Sequence, residues 1–213
     1  MYDCTYKMSY VHSCQESLHM GELNQETTAG SGRRKRRFDP LRRERLIEVT
    51  LEVIAQNGLA GTSSRKVADA ADVSLGSITY YFESLHQLIE EAFVRLSSTI
   101  SDEFTKMLTG APTREEAITA VVDIIDQKIW GTPRTLTLSF EFYAFISRNP
   151  HLNSLPQRWM KQSRRALEQH FSPTTARAID AVIEGVGIHN HFDHEPMTRS
   201  DIERVIRLVA TAD

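Results

Sequence analysis

Residues 62–82, TSSRKVADAADVSLGSITYYF, set the tightest limit on what this chain can fold into. Thr62 is a helix-capping residue type, with a hydroxyl able to accept an orphan N–H of a first turn. Val67, Ala68 and Ala71 then make a small apolar face that admits close helix packing. Asp72-Val73-Ser74 interrupts that pattern. Aspartate tolerates the left-handed conformation better than most residues, and Ser74 suits the cap of a second helix. In the second segment Ile78 and Phe82 fall four apart and point one way, leaving Ser77, Thr79, Tyr80 and Tyr81 for other faces. Two adjacent tyrosines cannot both be buried on one helix, so at least one faces outward. The expectation is a helix-turn-helix, whose second helix enters the DNA major groove.

The flanks read as helices throughout. Asp39-Pro40 opens one that reaches Asn57-Gly58, with Leu46, Val49, Val53 and Ile54 on one face. Ser84 caps a long helix striped by Leu88, Ile89, Ala92, Phe93, Leu96 and Ile100. Gly110-Ala111-Pro112 ends it, and Thr113 caps a helix carrying Ile118, Val121, Val122, Ile125 and Ile129. Residues 135–146 fit either a strand or a helix; a buried helix is preferred, because no second strand is in view to pair with it. A helix bearing Leu155, Trp159 and Leu167 follows, then two amphipathic helices near 174–190 and 200–211. Gly185 and Gly187 cost helicity in the first of these, and close approach of another helix is the expected reason. The fold class is all-α, about nine helices: a three-helix DNA-binding unit followed by a helical bundle.

Charge sharpens the DNA reading. The formal net charge is −3, yet residues 33–45 hold eight basic residues against Asp39 and Glu44. A basic stretch on an acidic body suits a DNA-facing end, and equally describes a solvated basic tail. Residues 1–32 are polar and without pattern, and are expected to be disordered; Met8 and Met20 are alternative starts. Arg33, Arg34, Lys35, Arg36 and Arg37 form an arm (33–41) able to track phosphates or reach a minor groove. Cys4 and Cys14 are the only cysteines and imply no disulfide framework. No apolar run approaches the ~20 residues of a membrane span, and no secretory signal opens the chain. The expected location is cytoplasmic, with no membrane partner.

Over residues 42–101 the chain resembles the TetR-type transcriptional regulators. The resemblance rests on Thr62-x-x-x-x-Val67-Ala68, the Val73-Ser74 turn, and Tyr80-Tyr81-Phe82 followed by a leucine-bearing helix. Asp72 stands where that turn usually has Gly, and Leu85-His86 where a phosphate-binding Lys usually starts the next helix, with His86 as a substitute. The resemblance implies a homodimer, joined through 174–190 and 200–211, that binds a near-palindromic double-stranded DNA operator. It also implies repression and a small-molecule effector bound within residues 102–213; the alternative is a regulator without effector. Residues 159–185 (WMKQSRRALEQHF, TARAIDA, IEG) further resemble an RcdA-like group of biofilm regulators.

The candidate DNA contacts are the arm residues with Ser63, Ser64, Arg65, Ser74, Leu75, Gly76, Ser77, Thr79, Tyr80, Tyr81 and His86. Arg65 matches a position that reaches a base in such regulators, where Arg suits guanine, or else a phosphate or surface pair. Gly76 allows close backbone approach, and Leu75 suits a thymine methyl. Trp130, Phe140, Tyr143 and Trp159, with Glu141, are candidates for an effector cavity between helices, the alternative being ordinary core. Arg134 is a further group able to orient a polar ligand. His189, His191, Asp193, His194 and Glu195 cluster at a helix end, with spacing that fits a surface role better than a metal site. No metal or cofactor is expected. The chain lacks the nucleophile-elbow, phosphate-loop, zinc-protease and dinucleotide patterns, so no enzyme is expected.

Overall fold

The computed structural model describes residues 40–211; the expected tail and the residues Arg33, Arg34, Lys35, Arg36 and Arg37 lie outside that range. The described residues are helical, with no strand among them. The helices are α1 (Arg42–Asn57), α2 (Ser64–Ala70), α3 (Leu75–Tyr81), α4 (Leu85–Thr109), α5 (Arg114–Asp123), α6 (Pro133–Arg148), α7 (Ser154–Leu167), α8 (Pro173–Phe192) and α9 (Arg199–Ala210). The ambiguous stretch 135–146 is thus helix, inside α6.

Local chemistry starts most of these helices. Ser63, Ser84, Thr113, Thr132, Ser172 and Thr198 each accept a backbone N–H from three residues on. At α5 the cap is reciprocal, because the Glu116 side chain returns to the Thr113 N–H. The first helix-turn-helix cap is Ser63 and not Thr62. The Thr62 hydroxyl instead donates to the Gly58 carbonyl at 2.8 Å, closing the end of α1. Gly58 ends α1 with φ 66°, a region that favours glycine.

Buried side chains run without interruption from Leu46 and Phe82 through Phe93 and Phe142 to Ile206. α4 packs chiefly on α7 and α1, α5 on α9, and α8 on both α9 and α7. Phe93 contacts Phe142 and Phe145 with ring centroids 5.5 and 5.3 Å apart, joining α4 to α6.

Between α5 and α6 the chain makes a π-helical turn at Ile124–Lys128, which the apolar stripe of Ile125 and Ile129 does not foretell. It delivers Trp130 into the core, where that residue is buried. The Trp130 ring lies against α8 at Gly187. A Cβ there would come 2.5 Å from Trp130 Cδ1. The partner that Gly187 admits is therefore an indole and not a helix backbone. Nothing lies within 4 Å of a Cβ at Gly185, and packing gives no account of that glycine.

Candidate DNA-reading face and aromatic cavity

The turn between α2 and α3 is built by main-chain bonds. Val73 N–H donates to Ala68 O at 3.0 Å, and Asp72 N–H donates to Asp69 O at 3.1 Å. That pair of bonds closes a helix around a left-handed residue, and Asp72 is that residue, with φ 50°. Ile78 and Phe82 are buried and fix α3 against the core. Arg43 of α1 pairs with Glu91 of α4 and sits 5.1 Å over the Phe82 ring. It therefore ties α1 to α4 and to Phe82 from a partly exposed position, although the sequence counts it with the basic stretch.

On the outer side Leu75 is 44% and Tyr80 81% exposed, with Arg65, Ser74, Gly76 and Thr79 also exposed. Tyr81 is half-buried, its ring edge-on to Tyr80 at 4.8 Å. Ser63 and Ser64 are half-buried at the start of α2, with Ser63 used as its cap. Ser77 differs from the sequence expectation. It is 8% exposed, and its hydroxyl meets that of Ser74 at 3.3 Å, because it shares the inward side of α3 with Ile78. Ser74 makes no side-chain cap bond to α3. His86 is exposed, but its Nε2 is 3.1 Å from Glu90 Oε1, a carboxylate beside the position expected to meet a phosphate.

The aromatic candidates separate into two places. Trp130, Tyr143 and Trp159 come together: the indoles meet edge-on at 5.4 Å, and Tyr143 stacks parallel to Trp159 at 6.3 Å. Phe140 lies apart, stacked on Phe192 at 5.8 Å. The Glu141 carboxylate lies against Gly58, 2.9 Å from where a Cβ would stand. Arg134 is tied to Glu52 of α1, its Nε donating at 3.1 Å. Neither α6 charge reaches the aromatic cluster, because α6 turns Phe142 and Phe145 inward and carries these side chains on its other faces.

The cluster borders a cavity of about 30 Å³, also lined by Ile100, Phe104, Asp180 and Glu184. That is room for about one water. The Tyr143 hydroxyl donates to Glu184. Burial, followed by the bond to Glu184 and the charges of Glu184 and Asp180, raises the Tyr143 pKa well above the usual tyrosine range. Asp180 is engaged by Ser163 at 2.9 Å and by Arg164 Nε at 3.0 Å. Glu184 has no cationic partner among the described residues. The Trp130 indole N–H is buried without an acceptor. The two acids escaped the sequence reading because α8 reads as an association helix. Their signal was an acidic i, i+4 pair beside the apolar pair Ile179 and Ile183.

The family model for bacterial regulatory proteins, tetR family, matches residues 46–92, from α1 to the first part of α4. The HTH-type transcriptional regulator BetI 1 of Chromohalobacter salexigens is 27% identical over 158 residues, which cover 70% of this chain and 78% of that one. The solved structure of SCO7518, a transcriptional regulator from Streptomyces coelicolor A3(2), shares 39% identity at TM-score 0.73, covering 81% of this chain and 100% of that chain. The multidrug binding protein EbrR, solved with ethidium, shares 28% identity at TM-score 0.64, covering 79% of this chain and 98% of that chain.

Proposed function

We propose, for a chain that belongs to the TetR family of DNA-binding transcriptional regulators, that it acts as a homodimeric repressor whose hold on an operator is released by a small molecule. The observation that carries the reading is one helix, α4, shared by two features: it follows directly on the exposed face of α3, and its Ile100 and Phe104 line the aromatic cavity. Arg65, Leu75, Gly76, Thr79 and Tyr80 read the groove, and Arg33, Arg34, Lys35, Arg36 and Arg37 hold phosphates. Two copies join through α8 and α9, where Phe192 and Leu208 are each 67% exposed. Two recognition helices then meet successive major grooves about 34 Å apart. The chain works in the cytoplasm and has no catalytic role. Among the described residues no helix is long and apolar enough to cross a membrane.

The effector we propose is a planar aromatic cation. Stacked indole and phenol rings and the Glu184 carboxylate favour that chemistry. EbrR binds ethidium, proflavin and malachite green. Drug-sized ligands need about 300–1,000 Å³, so such a molecule has to displace the Trp130 or Trp159 ring. Binding and rearrangement are then one event, as a shift of population between two states requires.

The test is selection of bound fragments from random genomic DNA, followed by anisotropy with the recovered site and added ethidium. A recovered near-palindrome released by ethidium supports the reading; a site unaffected by any aromatic cation removes the effector part. A place near the RcdA-like biofilm regulators, carried by residues 159–185, is a finer proposal. It is abandoned if no recovered site lies upstream of a biofilm gene.

A further inference from the structure

One cluster belongs neither to the reading face nor to the cavity. His86 and Glu90 lie four apart in the first turns of α4, on one face. His151, in the tight turn Pro150–Leu152 between α6 and α7, comes to the same carboxylate. His86 Nε2 is 3.1 Å and His151 Nε2 3.2 Å from Glu90 Oε1. One ligand atom from each residue lies within 4.8 Å of the other two, and this is the only group of that kind among the described residues. The His86 ring rests against Phe145, centroids 5.1 Å apart, which limits its swing.

We infer that His86, Glu90 and His151 form a binding site for a divalent transition-metal cation of the zinc, cobalt and nickel class. Two imidazoles and one carboxylate are a ligand set that such cations accept, leaving a fourth position for water. Metal–nitrogen and metal–oxygen bonds of about 2.0–2.2 Å place neighbouring tetrahedral ligand atoms about 3.3–3.5 Å apart. Both nitrogen–oxygen separations fall a few tenths of an ångström inside that. The two imidazole nitrogens lie within 4.8 Å of each other, so a cation is enclosed once the exposed rings turn toward it. His86 and His151 are exposed and Glu90 half-buried, so the site opens to solvent. Its position is what gives it meaning. Once bound, the cation fastens the start of α4, separated from α3 by three residues, to the α6–α7 connection. The acidic and histidine-rich end of α8, which offers the same residue types, is not gathered: His191 faces the rings of Phe140 and Phe192.

The test uses the full chain with Cys4→Ser and Cys14→Ser, which removes the thiolates as competing ligands. The metal-free protein is titrated with Co2+ and its visible ligand-field bands are followed, with Zn2+ as displacing ion. One saturable site per chain at micromolar Co2+ is expected. Losing even an outer-shell partner weakens metal sites about 10–100-fold, so His151→Ala and His86→Ala should each cost at least that. His191→Ala with His194→Ala should leave the titration unchanged. Zn2+ should raise the melting temperature of the parent chain and not of His151→Ala. The exposed alanine variants are first shown to melt with the parent in the absence of metal. Bands that survive His151→Ala, or no saturation below millimolar Co2+, overturn the proposal and leave the trio as a hydrogen-bonded cluster. No DNA or effector enters the experiment, so its failure would not touch the regulatory reading.

Discussion

The two ends of α4 are built on opposite plans. Around α3 the polar chemistry points out, and a buried minimum of Ile78 and Phe82 holds it in place. Around Trp130, Tyr143 and Trp159 it points in, and each group stands on a different element. The first region is made by neighbours in sequence, the second by residues brought from across the chain. At the reading face a side chain can therefore be lost without loss of fold, whereas in the cavity almost any change is a change of packing.

Four experiments press on that contrast. Arg65→Ala with Tyr80→Ala removes two exposed side chains. At about 1–3 kcal/mol for a good base contact, specific operator binding should weaken by about 2–4 kcal/mol with the melting temperature unmoved. Anisotropy and calorimetry together read this, and a fall in melting temperature would break the contrast. Gly187→Ala does the reverse. Its Cβ meets Trp130 Cδ1 at 2.5 Å, and overpacking of this kind costs about 1–3 kcal/mol. Urea unfolding and tryptophan emission should both register the change.

Tyr143→Phe removes the bond to Glu184 but keeps the ring. A hydrogen bond to a charged group is worth about 1.5–3 kcal/mol when buried, so about 1–2 kcal/mol is expected at this half-buried position. The pH dependence has a definite sign. The folded-state pKa of Tyr143 is raised, for burial first and Glu184 second, so the neutral phenol is favoured in the fold. The stabilisation is complete below the unfolded value of about 10 and drains as pH rises above it. Parent and variant melts should therefore converge at alkaline pH; a constant gap would remove Tyr143 as the cause. The smallest effect belongs to Asp72→Gly. Relief of a left-handed residue gains about 1 kcal/mol and the added freedom of the unfolded chain takes back about 0.4–1. Stability should stay within about 0.5 kcal/mol, whereas Asp72→Val should cost at least 1 kcal/mol.

The same contrast decides what could be read before the fold was known. Asp72 was legible because its reason is local: a break in the apolar pattern at a residue that tolerates φ 50°. The register of α2 was legible to within one residue, since Thr62 and Ser63 are both capping types and tertiary contact decides between them. Ser77 was not, because in a helix of seven residues the inward side spans two adjacent positions. In the cavity the residue types were legible but their company was not. Phe140 and Glu141 follow one another beside Phe142, yet only the last faces an indole, that of Trp159. Asp180 and Glu184 lay hidden in an apolar helix. The turn that delivers Trp130 has no sequence signature; it packs on α8 and α9, which are distant in the chain. His151 could not be joined to His86 and Glu90 at all across 61 residues of chain without the fold.

The 25 residues of α4 run without a break. At 1.5 Å per residue it is a rod about 37 Å long. A rod of that length tilting by about 5° about one end carries the other end about 3 Å, close to the 3.4 Å rise between base pairs. In the proposed switch, displacement of one indole at the cavity end has to supply a movement of that order. A shift of one base-pair step at each half of a symmetric pair is enough to put two reading helices out of phase with their grooves.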